Sequence, residues 1–380
     1  MAVKKKILIV NNFLQGGGVE KLMYDLVWHW HERYDITIMT EDFHNGAEEL
    51  FPPDVSYIHE KVKKEYRKNI IEKIFNKFHK KWHRIKLQKF MKEKQFDMAI
   101  AMKDGWMVRN TARLDIPVKY AWMHTDYHGN YYTYEVFGTK ELELECMKSF
   151  KKIVCVAESI KSSIIDVIGD PGNLVVRYNP IDVEAVLEKA KEPVVDLEPA
   201  KEGVVRFVCV GRLNHQKGYG LLLEAAHMLE QEGYAFEIFV VGGKEPWGDE
   251  AHRLEHSKKR LGVRSVTFLG GRKNPYKYMK MADWMLSTSI FEGYSLVSQE
   301  AAVLDVPLLL TECSGVRELL GDSEYGIVME PSVIGIYEGM KQVIEHPELQ
   351  QQYKEKIMER KQIIGFEERI RDIEALLEEA

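Results

Sequence analysis

The sequence has little of what marks a cysteine-based metal site or a disulfide-stabilised domain. Its 380 residues include only four cysteines, which are scattered along the chain: Cys146, Cys155, Cys209 and Cys313. None of them has metal-ligand spacing, and those at 155 and 209 lie inside apolar runs, where a thiol is more often a small core side chain. The cysteine usage therefore fits a reducing cytoplasm.

Long hydrophobic runs are also missing. No stretch approaches the roughly 20 apolar residues that a membrane-spanning helix needs. The amino terminus is basic, but only Ile7–Val10 is apolar before two asparagines follow, which is too short for the core of a signal peptide. Neither secretion nor integral membrane insertion is expected, and the predicted location is the cytoplasm.

What is present is the composition of a soluble globular protein, with 45% hydrophobic and 29% charged residues. Short apolar runs alternate with helical patterns throughout, which predicts parallel sheets covered by helices, arranged as two α/β domains. The length also favours two domains. We expect the first at 1–182 and the second at 183–361. The predicted strands are Ile7–Val10, Ile36–Met39, Met98–Ala101, Lys119–Trp122, Ile153–Val156, Val204–Val210, Glu237–Val241, Val266–Leu269, Trp284–Ser287 and Pro307–Leu310.

The most informative segment places two glutamates eight residues apart, Glu292 and Glu300, within the run FEGYSLVSQEAA. A predicted strand precedes it and a helical pattern follows, so Gly293 and Ser295 lie in a strand-to-helix turn. Free N–H groups and the positive end of the helix dipole meet at such a turn and suit an anion such as a diphosphate. Carboxylates on either side can accept hydrogen bonds from sugar hydroxyls. Taken alone, the glutamates are more typical of a solvated helix face.

Two further strand-to-turn segments lie in the same half of the chain. One runs from the strand at Phe207 into a turn that contains Arg212 and Lys217. The other runs from Phe268 into a turn that contains Arg272 and Lys273. Each cation alone is commonly a surface ion-pair partner. Beside the glutamate pair, Arg212 and Lys217 predict a site that neutralises a diphosphate, and each charge-assisted hydrogen bond contributes roughly 1.5–3 kcal/mol.

The three segments, in this order and spacing, resemble the family 4 retaining glycosyltransferases, also called group 1. The resemblance covers nearly the whole chain. It implies the GT-B fold, in which two Rossmann-like domains face a cleft, and a tail from about 362 to 380 that crosses back onto the first domain. It also implies that Arg212 and Lys217 bind the donor diphosphate. Glu292 would contact the transferred sugar, Glu300 the ribose hydroxyls, and Arg272 and Lys273 the base.

The turn itself would orient the donor through the backbone of Gly293, Tyr294, Ser295 and Leu296. The chain departs from the family pattern at Tyr294, where Phe is common, and at Ser298 and Gln299, where apolar residues are usual. These departures leave the proposed roles in place and bear on donor preference.

In the first domain, a glycine-rich turn of Gly16, Gly17 and Gly18 follows the first strand. A dinucleotide-binding fingerprint would need a third, spaced glycine, which the segment lacks. In the resembled family, glycines here let the backbone approach the donor, so all three are donor-site candidates. A tight structural turn is the alternative.

The loop after the predicted strand Lys119–Trp122 supplies the remaining candidates. His124 follows the strand end, where ligands gather in open α/β sheets. The resemblance implies that a residue here acts near the reacting sugar, which makes His124 a candidate. Asp126, Tyr127 and Tyr131 are candidates for contact with the acceptor. A satisfied structural histidine, a turn aspartate and ordinary loop packing explain the same residues.

The segment 61–94 is strongly basic, with 14 Lys or Arg, 3 acidic residues and a net charge of +11. Aromatic and aliphatic residues recur within it at nearly helical spacing, which predicts a basic amphipathic helix. We expect it to contact the anionic inner face of the membrane. A solvated charged helix is the alternative, and no recognition motif for nucleic acid accompanies the charges.

Together these features predict a retaining hexosyltransferase. A hexose or N-acetylhexosamine would move from a nucleotide diphosphate sugar, with UDP favoured, to a glycan acceptor that is lipid-linked. No metal is expected, because no Asp-x-Asp element follows a strand and the cations neutralise the diphosphate. Two alternatives remain, a UDP-sugar epimerase on the same architecture and a non-catalytic nucleotide-sugar-binding partner subunit.

Overall fold

The computed structural model describes residues 4–14, 17–41, 46–59, 92–245 and 248–379. They form two compact units. The first comprises the chain up to Val156, Ile160–Arg177 and the residues from Asp372 onward, and the second comprises Ala157–Ser159 and Tyr178–Arg371. The sequence predicted a boundary after 182 and a return at about 362. The basic segment 61–94 lies outside the described residues, apart from its last three.

The first unit is built on a parallel sheet that has seven strands among the described residues, in the order β3-β2-β1-β4-β5-β6-β7. The first six follow the 3-2-1-4-5-6 order of dinucleotide-binding folds. Its elements are β1 Lys6–Val10, α1 Gly18–Trp30, β2 Asp35–Thr40, β3 Ser56–His59, β4 Met98–Ala101, α2 Trp106–Ala112, β5 Val118–Met123, α3 Tyr134–Phe137, α4 Lys140–Lys148, β6 Lys152–Cys155, α5 Glu158–Ile168 and β7 Leu174–Val176.

The apolar pattern explains why these elements form. The central strand β1 is an uninterrupted apolar run because helices cover both faces of a parallel sheet. Helix α1 buries one stripe of apolar side chains, as its helical spacing predicts. The stripe consists of Leu22, Met23, Leu26, Val27 and Trp30.

The second unit is built on a second parallel sheet, with six strands among the described residues in the order β10-β9-β8-β11-β12-β13. Counted from β8, this is again the 3-2-1-4-5-6 order. Its elements are α6 Val183–Ala190, β8 Val205–Val210, α7 Tyr219–Gln231, β9 Phe236–Val241, α8 Glu250–Leu261, β10 Val266–Gly270, α9 Tyr276–Lys280, β11 Trp284–Ser287, α10 Leu296–Val303, β12 Leu308–Thr311, α11 Val316–Leu320, β13 Ile327–Met329, α12 Val333–Glu345 and α13 Glu348–Ile364. The last helix, α14 Glu368–Glu378, begins in this unit, and its residues from Asp372 onward belong to the first unit.

The end of the chain returns to the first unit. Helix α13 ends at Gly365, which adopts a left-handed conformation (φ 61°) that separates it from α14. Within the first unit, the Tyr120 hydroxyl donates to the carbonyl of Leu376 at 2.9 Å, and Arg33 pairs with Glu374 at 2.6 Å. The end of α14, from Asp372 onward, therefore belongs to the first unit.

The predicted fold class, two α/β domains with parallel sheets, is confirmed. All ten predicted strands are present, with ends that match or shift by one residue. The sequence analysis missed β3, β7 and β13, each of which lies at an edge of its sheet. Over the described ranges, no helix combines the length and the apolar composition needed to cross a bilayer.

Candidate functional site

The two central strands of the second sheet, β8 and β11, lie side by side and pair in parallel at Phe207 and Trp284. The strand order reverses between them, and open α/β sheets bind ligands at the carboxyl ends of such strands. Arg212 follows the carboxyl end of β8 and Glu292 follows that of β11. The two segments that the sequence singled out therefore meet at the topological switch point.

A lysine and a glutamate from these segments form the centre of the site. The Nζ of Lys217 lies 2.5 Å from Oε1 of Glu292, and their side chains are 18% and 12% exposed. The Ser289 hydroxyl donates to the same oxygen at 2.7 Å. The Gln216 amide donates to the Phe291 carbonyl at 3.0 Å. The carboxylate is thus oriented by a cation and a hydroxyl.

The position of Lys217 depends on a tight turn. A short 3-10 turn, His215–Lys217, is capped by the Asn214 side chain and followed by Gly218 in a left-handed conformation (φ 64°). A Cβ on this glycine would lie 1.9 Å from the Thr288 carbonyl oxygen. Only glycine fits, and the close contact places the lysine against the segment that contains Glu292.

The turn between β11 and α10 has the geometry that the sequence predicts. Ser295 is the N-cap of α10, and its side chain accepts a hydrogen bond from the Ser298 N–H. Gly315 packs against the turn so closely that a Cβ would lie 2.9 Å from the Gly293 carbonyl and 2.5 Å from the Tyr294 ring. The first N–H groups of α10 and its dipole are thus held at the same end of the sheet as Lys217.

Glu300 lies on the second turn of α10 and is only 4% exposed. Its Oε1 accepts a hydrogen bond of 2.9 Å from the Tyr276 hydroxyl, which comes from α9. A buried carboxylate needs such donors, because an ionised group without partners is costly to bury. The two glutamates therefore have different surroundings, one paired with an ammonium and one with a phenol.

Two predicted cations are more exposed. Arg212 lies 3.4 Å from Glu245, which also accepts a hydrogen bond of 3.0 Å from the Asn214 amide. Arg272 follows the edge strand β10 and lies 3.2 Å from Asp196. Its pKa is raised by a hydrogen bond to the Tyr278 hydroxyl and by Asp196. Both lie at carboxyl ends of strands, as does the exposed Lys273.

In the first unit, the glycine-rich turn is described in part. Gly16 lies outside the described residues. Gly17 is extended and forms the N-cap of α1, which begins at Gly18. Nearby, Asn11 donates to Glu20 at 3.4 Å, and this buried carboxylate lies 3.8 Å from the ammonium of Lys103.

His124 directly follows β5 and is held by a buried aspartate. Its backbone N–H donates to both oxygens of Asp104, at 3.2 and 3.0 Å. Its Nε2 donates to the Met102 carbonyl at 3.1 Å, which leaves the lone pair on Nδ1. Burial lowers the pKa of His124 to about 4 and raises that of Asp104 to about 6. At neutral pH the imidazole is an uncharged hydrogen-bond acceptor.

The acceptor candidates Asp126, Tyr127 and Tyr131 form hydrogen bonds within the first unit. Asp126 accepts hydrogen bonds from the backbone N–H groups of His128 and Gly129, as a turn aspartate does. Tyr127 is buried, and its hydroxyl donates to Glu143 at 2.5 Å, while the half-buried Tyr131 donates to the same carboxylate at 2.9 Å. These contacts favour a structural role for the aspartate and for Tyr127.

The sequence analysis missed several polar partners that the structure brings to the predicted residues. Glu245 and Asp104 each follow a central strand, so the rule that ligands gather at strand ends points to both. Ser289 lies between the strand and Glu292, but nothing in its spacing indicates its hydrogen bond. Gln216 is next to Lys217, and only the folded turn shows that its amide contacts the opposite loop.

The chain resembles known proteins in both sequence and structure. A family model described as "Glycosyl transferases group 1" matches residues 195–360, and one described as "Glycosyltransferase Family 4" matches residues 16–185. A sucrose-phosphate synthase from Thermosynechococcus elongatus has a similar structure, with a TM-score of 0.77 at 15% identity over 99% of both chains. This likeness supports the predicted GT-B fold.

Two relatives of known activity share about half of their length with this chain. One is the N-acetylgalactosamine-N,N'-diacetylbacillosaminyl-diphospho-undecaprenol 4-alpha-N-acetylgalactosaminyltransferase of Campylobacter jejuni, 32% identical over 49% of this chain and 48% of that protein. The other is the UDP-Gal:alpha-D-GlcNAc-diphosphoundecaprenol alpha-1,3-galactosyltransferase of Escherichia coli, 26% identical over 60% of this chain and 54% of that protein. The two family models together account for both units, and the chain belongs to the group 1 glycosyltransferases of family 4.

Proposed function

We propose that this protein is a retaining glycosyltransferase that moves a hexose or N-acetylhexosamine from a UDP-sugar to the sugar of a lipid-linked acceptor. The observation that carries the proposal is the ion pair of Lys217 and Glu292 at the switch point of the second sheet. A partly buried ammonium and a carboxylate that meet near a helix N-terminus suit the two ends of one ligand, a diphosphate and a sugar.

On the donor side, Lys217 and Arg212 bind the diphosphate. The lysine supplies a point charge and the arginine a planar set of donors. Glu292 and the N–H groups of Gly293 to Ser295 orient the sugar, while Glu300 binds the ribose hydroxyls. Arg272 and Lys273 lie against the base.

In the proposed reaction the bond between the anomeric carbon and the diphosphate oxygen breaks, and a bond from the acceptor oxygen forms on the same face. The acceptor's proton passes to the leaving diphosphate. Lys217 and Arg212 stabilise the charge that develops there, which is the electrostatic contribution that usually dominates such catalysis. The neutral His124 is a hydrogen-bond acceptor for the sugar, since its lone pair is on Nδ1.

A lipid-linked acceptor is supported by the relatives. The names of the Campylobacter jejuni and Escherichia coli relatives both include a sugar linked to diphospho-undecaprenol, and the name of the second also includes UDP-Gal. The basic segment 61–94 suits the anionic membrane surface where such acceptors are located. We therefore propose peripheral association with the inner face of the membrane. Flotation with anionic vesicles at low and high salt tests it, and absent or salt-insensitive binding would contradict it.

The central experiment is to incubate the protein with a panel of nucleotide sugars and an undecaprenyl-diphosphate-linked sugar, with and without EDTA. The expected result is release of UDP from one donor and an α-linked product from an α-linked donor, unaffected by EDTA. Formation of an epimer without release of nucleotide would instead identify a UDP-sugar epimerase. Binding without turnover would identify a non-catalytic partner subunit, and loss of activity in EDTA would contradict a metal-free site.

A further inference from the structure

A buried arginine with aromatic neighbours contacts the candidate donor turn through the ring of Tyr294. Arg369, on the first turn of α14, is 6% exposed. Its guanidinium carbon lies 5.1 Å from the ring centre of Tyr178, 5.8 Å from that of Tyr294 and 4.9 Å from that of Phe366. Three rings at such distances provide the cation–π attraction that favours a desolvated guanidinium.

Carbonyl and amide oxygens, rather than a carboxylate, accept hydrogen bonds from Nη1, while the buried Nε has no hydrogen-bond partner among the described residues. The Nη1 of Arg369 donates to the Asn179 carbonyl at 2.9 Å and to Oε1 of Gln299 at 2.5 Å. Throughout the described portion of the chain, no acidic side chain forms an ion pair with it. A carboxylate compensates the charge of Arg369 only indirectly: the Tyr178 ring contacts the guanidinium, and the Tyr178 hydroxyl donates to Glu318 at 2.9 Å. Because a buried charge is costly unless it is bound, each of these contacts matters.

Gln299 connects this arginine to the donor turn. Its side chain is fully buried, and its Nε2 donates to the Ser295 carbonyl at 3.2 Å. The amide therefore accepts from Arg369 on one side and donates to the N-cap residue of α10 on the other. Glu300 is the next residue on the same helix. Tyr294, in the middle of the turn, contacts the guanidinium directly through its ring.

The two positions connected in this way, Tyr294 and Gln299, are also positions where the sequence departs from the family pattern. A Phe ring in place of Tyr294 would provide a weaker face for a cation, and an apolar residue in place of Gln299 would provide no acceptor. Both departures thus have one physical explanation, because both bind the Arg369 guanidinium.

We propose that Arg369 is a positioning residue for the donor site, which holds the turn of Tyr294 and Ser295 and the start of α10 through Gln299. This inference rests on the proposed function, since it takes the same turn as the donor site. The ligand class is a nucleoside diphosphate. Its affinity is predicted to depend on Arg369, a residue assigned no contact with the ligand.

The test compares Arg369→Met with a matched control, Arg360→Met. Arg360, on α13, also lies over a ring, 5.0 Å from the centre of Tyr325, and also donates to carbonyls, those of Leu319 and Glu318. Its loss removes a ring contact and two hydrogen bonds to carbonyls, but no hydrogen bond to Ser295 or Gln299 among the described residues. UDP is titrated by calorimetry, first into the parent and then into each variant.

We expect Arg369→Met to raise the Kd for UDP by about tenfold, the loss expected for one charge-assisted hydrogen bond, and Arg360→Met to change it by less than about twofold. With a donor that supports turnover, the KM of Arg369→Met rises while kcat stays within about threefold. A merely structural role would lower the active fraction, and so kcat, at unchanged KM. If Arg369→Met fails to fold, Arg369→Lys and Gln299→Leu are titrated in its place.

A double-mutant cycle tests the connection through Gln299. Gln299→Leu is expected to weaken UDP binding by a similar factor, and the double variant with Arg369→Met no more than either alone, because the interaction is already lost. Equal losses in the Arg369 and Arg360 variants would overturn the inference, and so would losses that multiply in the double variant. A parent that does not bind UDP would overturn the proposed function itself, which separates the two failures.

Discussion

The ammonium of Lys217 lies 2.5 Å from Oε1 of Glu292, although the two residues are assigned to opposite ends of the donor. Without a ligand, each neutralises the other in a partly buried site. A diphosphate that binds beside the lysine competes with the glutamate for its three donors. The pair therefore predicts that loss of the Lys217 ammonium weakens nucleotide binding, whereas loss of the Glu292 charge does not.

Removal of the cation weakens nucleotide binding. Lys217→Met is expected to raise the Kd for UDP by roughly tenfold to a hundredfold, the equivalent of a charge-assisted hydrogen bond. Glu292→Gln is expected to leave UDP binding unchanged or tighter, because the lysine no longer pairs with a carboxylate, while sugar transfer falls. Calorimetry and a UDP-release assay measure the two effects.

Lys341→Met is the control for loss of a lysine ion pair in the same unit, since Lys341 lies 2.8 Å from Glu232. It is expected to leave UDP binding at the parent's value. If Lys217→Met binds UDP as the parent does, the diphosphate is bound elsewhere. If Glu292→Gln weakens UDP binding as much as Lys217→Met, the glutamate does not belong to the sugar end of the site.

The buried Glu300 predicts discrimination between ribose and deoxyribose. Its Oε1 accepts from Tyr276, and we assign the carboxylate to the ribose hydroxyls. The parent should bind UDP more tightly than 2′-deoxy-UDP, and Glu300→Gln should reduce that ratio by about tenfold, as expected for a hydrogen bond to a charged group. Competitive binding of the two nucleotides measures it. If Glu300→Gln keeps the parent's ratio, Glu300 does not bind the ribose. Tyr276→Phe is the control variant, because it removes the phenol's hydrogen bond to Glu300 and leaves the carboxylate itself in place.

The sequence predicts the buried strands of the fold and misses three short strands at the sheet edges. The ten predicted strands have the apolar runs that result when helices cover both faces of a sheet. The strands β3, β7 and β13 lie at sheet edges and are short: β7 and β13 are apolar but have only 3 residues each, and β3 has 4 residues, two of them polar. A short edge strand is paired on one side only, and long-range pairing rather than local pattern determines it.

The candidate site shows the same division between local and long-range information. The strand-to-helix turn that contains Gly293 and Ser295 follows from neighbouring residues and is predicted correctly, and the structure adds that Ser295 is the N-cap of α10. The bond between Arg369 and Gln299 joins residues that are 70 positions apart, and no local pattern indicates it. The sequence marked Gln299 only as a departure from the family pattern, and its cause is visible once the helices pack.

The tight turn after β8 predicts a specific loss of stability. In Gly218→Ala, the methyl group would lie 1.9 Å from the Thr288 carbonyl oxygen at a left-handed φ of 64°. We expect more than about 3 kcal/mol of destabilisation, since backbone atoms on both sides must shift. Gly262→Ala is the matched control, because Gly262 has φ 71° and no atom within 4 Å of the added methyl group.

For that control only the backbone conformation is unfavourable, which costs about 1–2 kcal/mol. Thermal unfolding of the two variants and the parent measures the difference. Similar melting temperatures for both variants would show that the turn relaxes without cost, and the close approach of the two loops would then not hold Lys217 in place.

The contact of His124 with Asp104 predicts opposing effects of pH on stability. Burial lowers the pKa of His124 to about 4, so between pH 6.5 and 4 the unfolded chain takes up a proton that the folded protein resists, and stability is lost as pH falls. Burial raises the pKa of Asp104 to about 6, so the folded protein takes up its proton first, and stability is gained as pH falls over nearly the same range.

His124→Asn removes the first effect and leaves the second. Between pH 7 and pH 4.5, the free energy of unfolding of the variant should therefore rise relative to that of the parent, by roughly 2 kcal/mol from 1.36 kcal/mol per pKa unit. Urea denaturation at the two pH values measures it, and Asp104→Asn is expected to change the difference in the opposite direction. Parallel curves for parent and His124→Asn would mean that the imidazole titrates near its ordinary pKa. The imidazole would then be charged below about pH 6.5, and in that pH range it could not be an uncharged hydrogen-bond acceptor for the sugar.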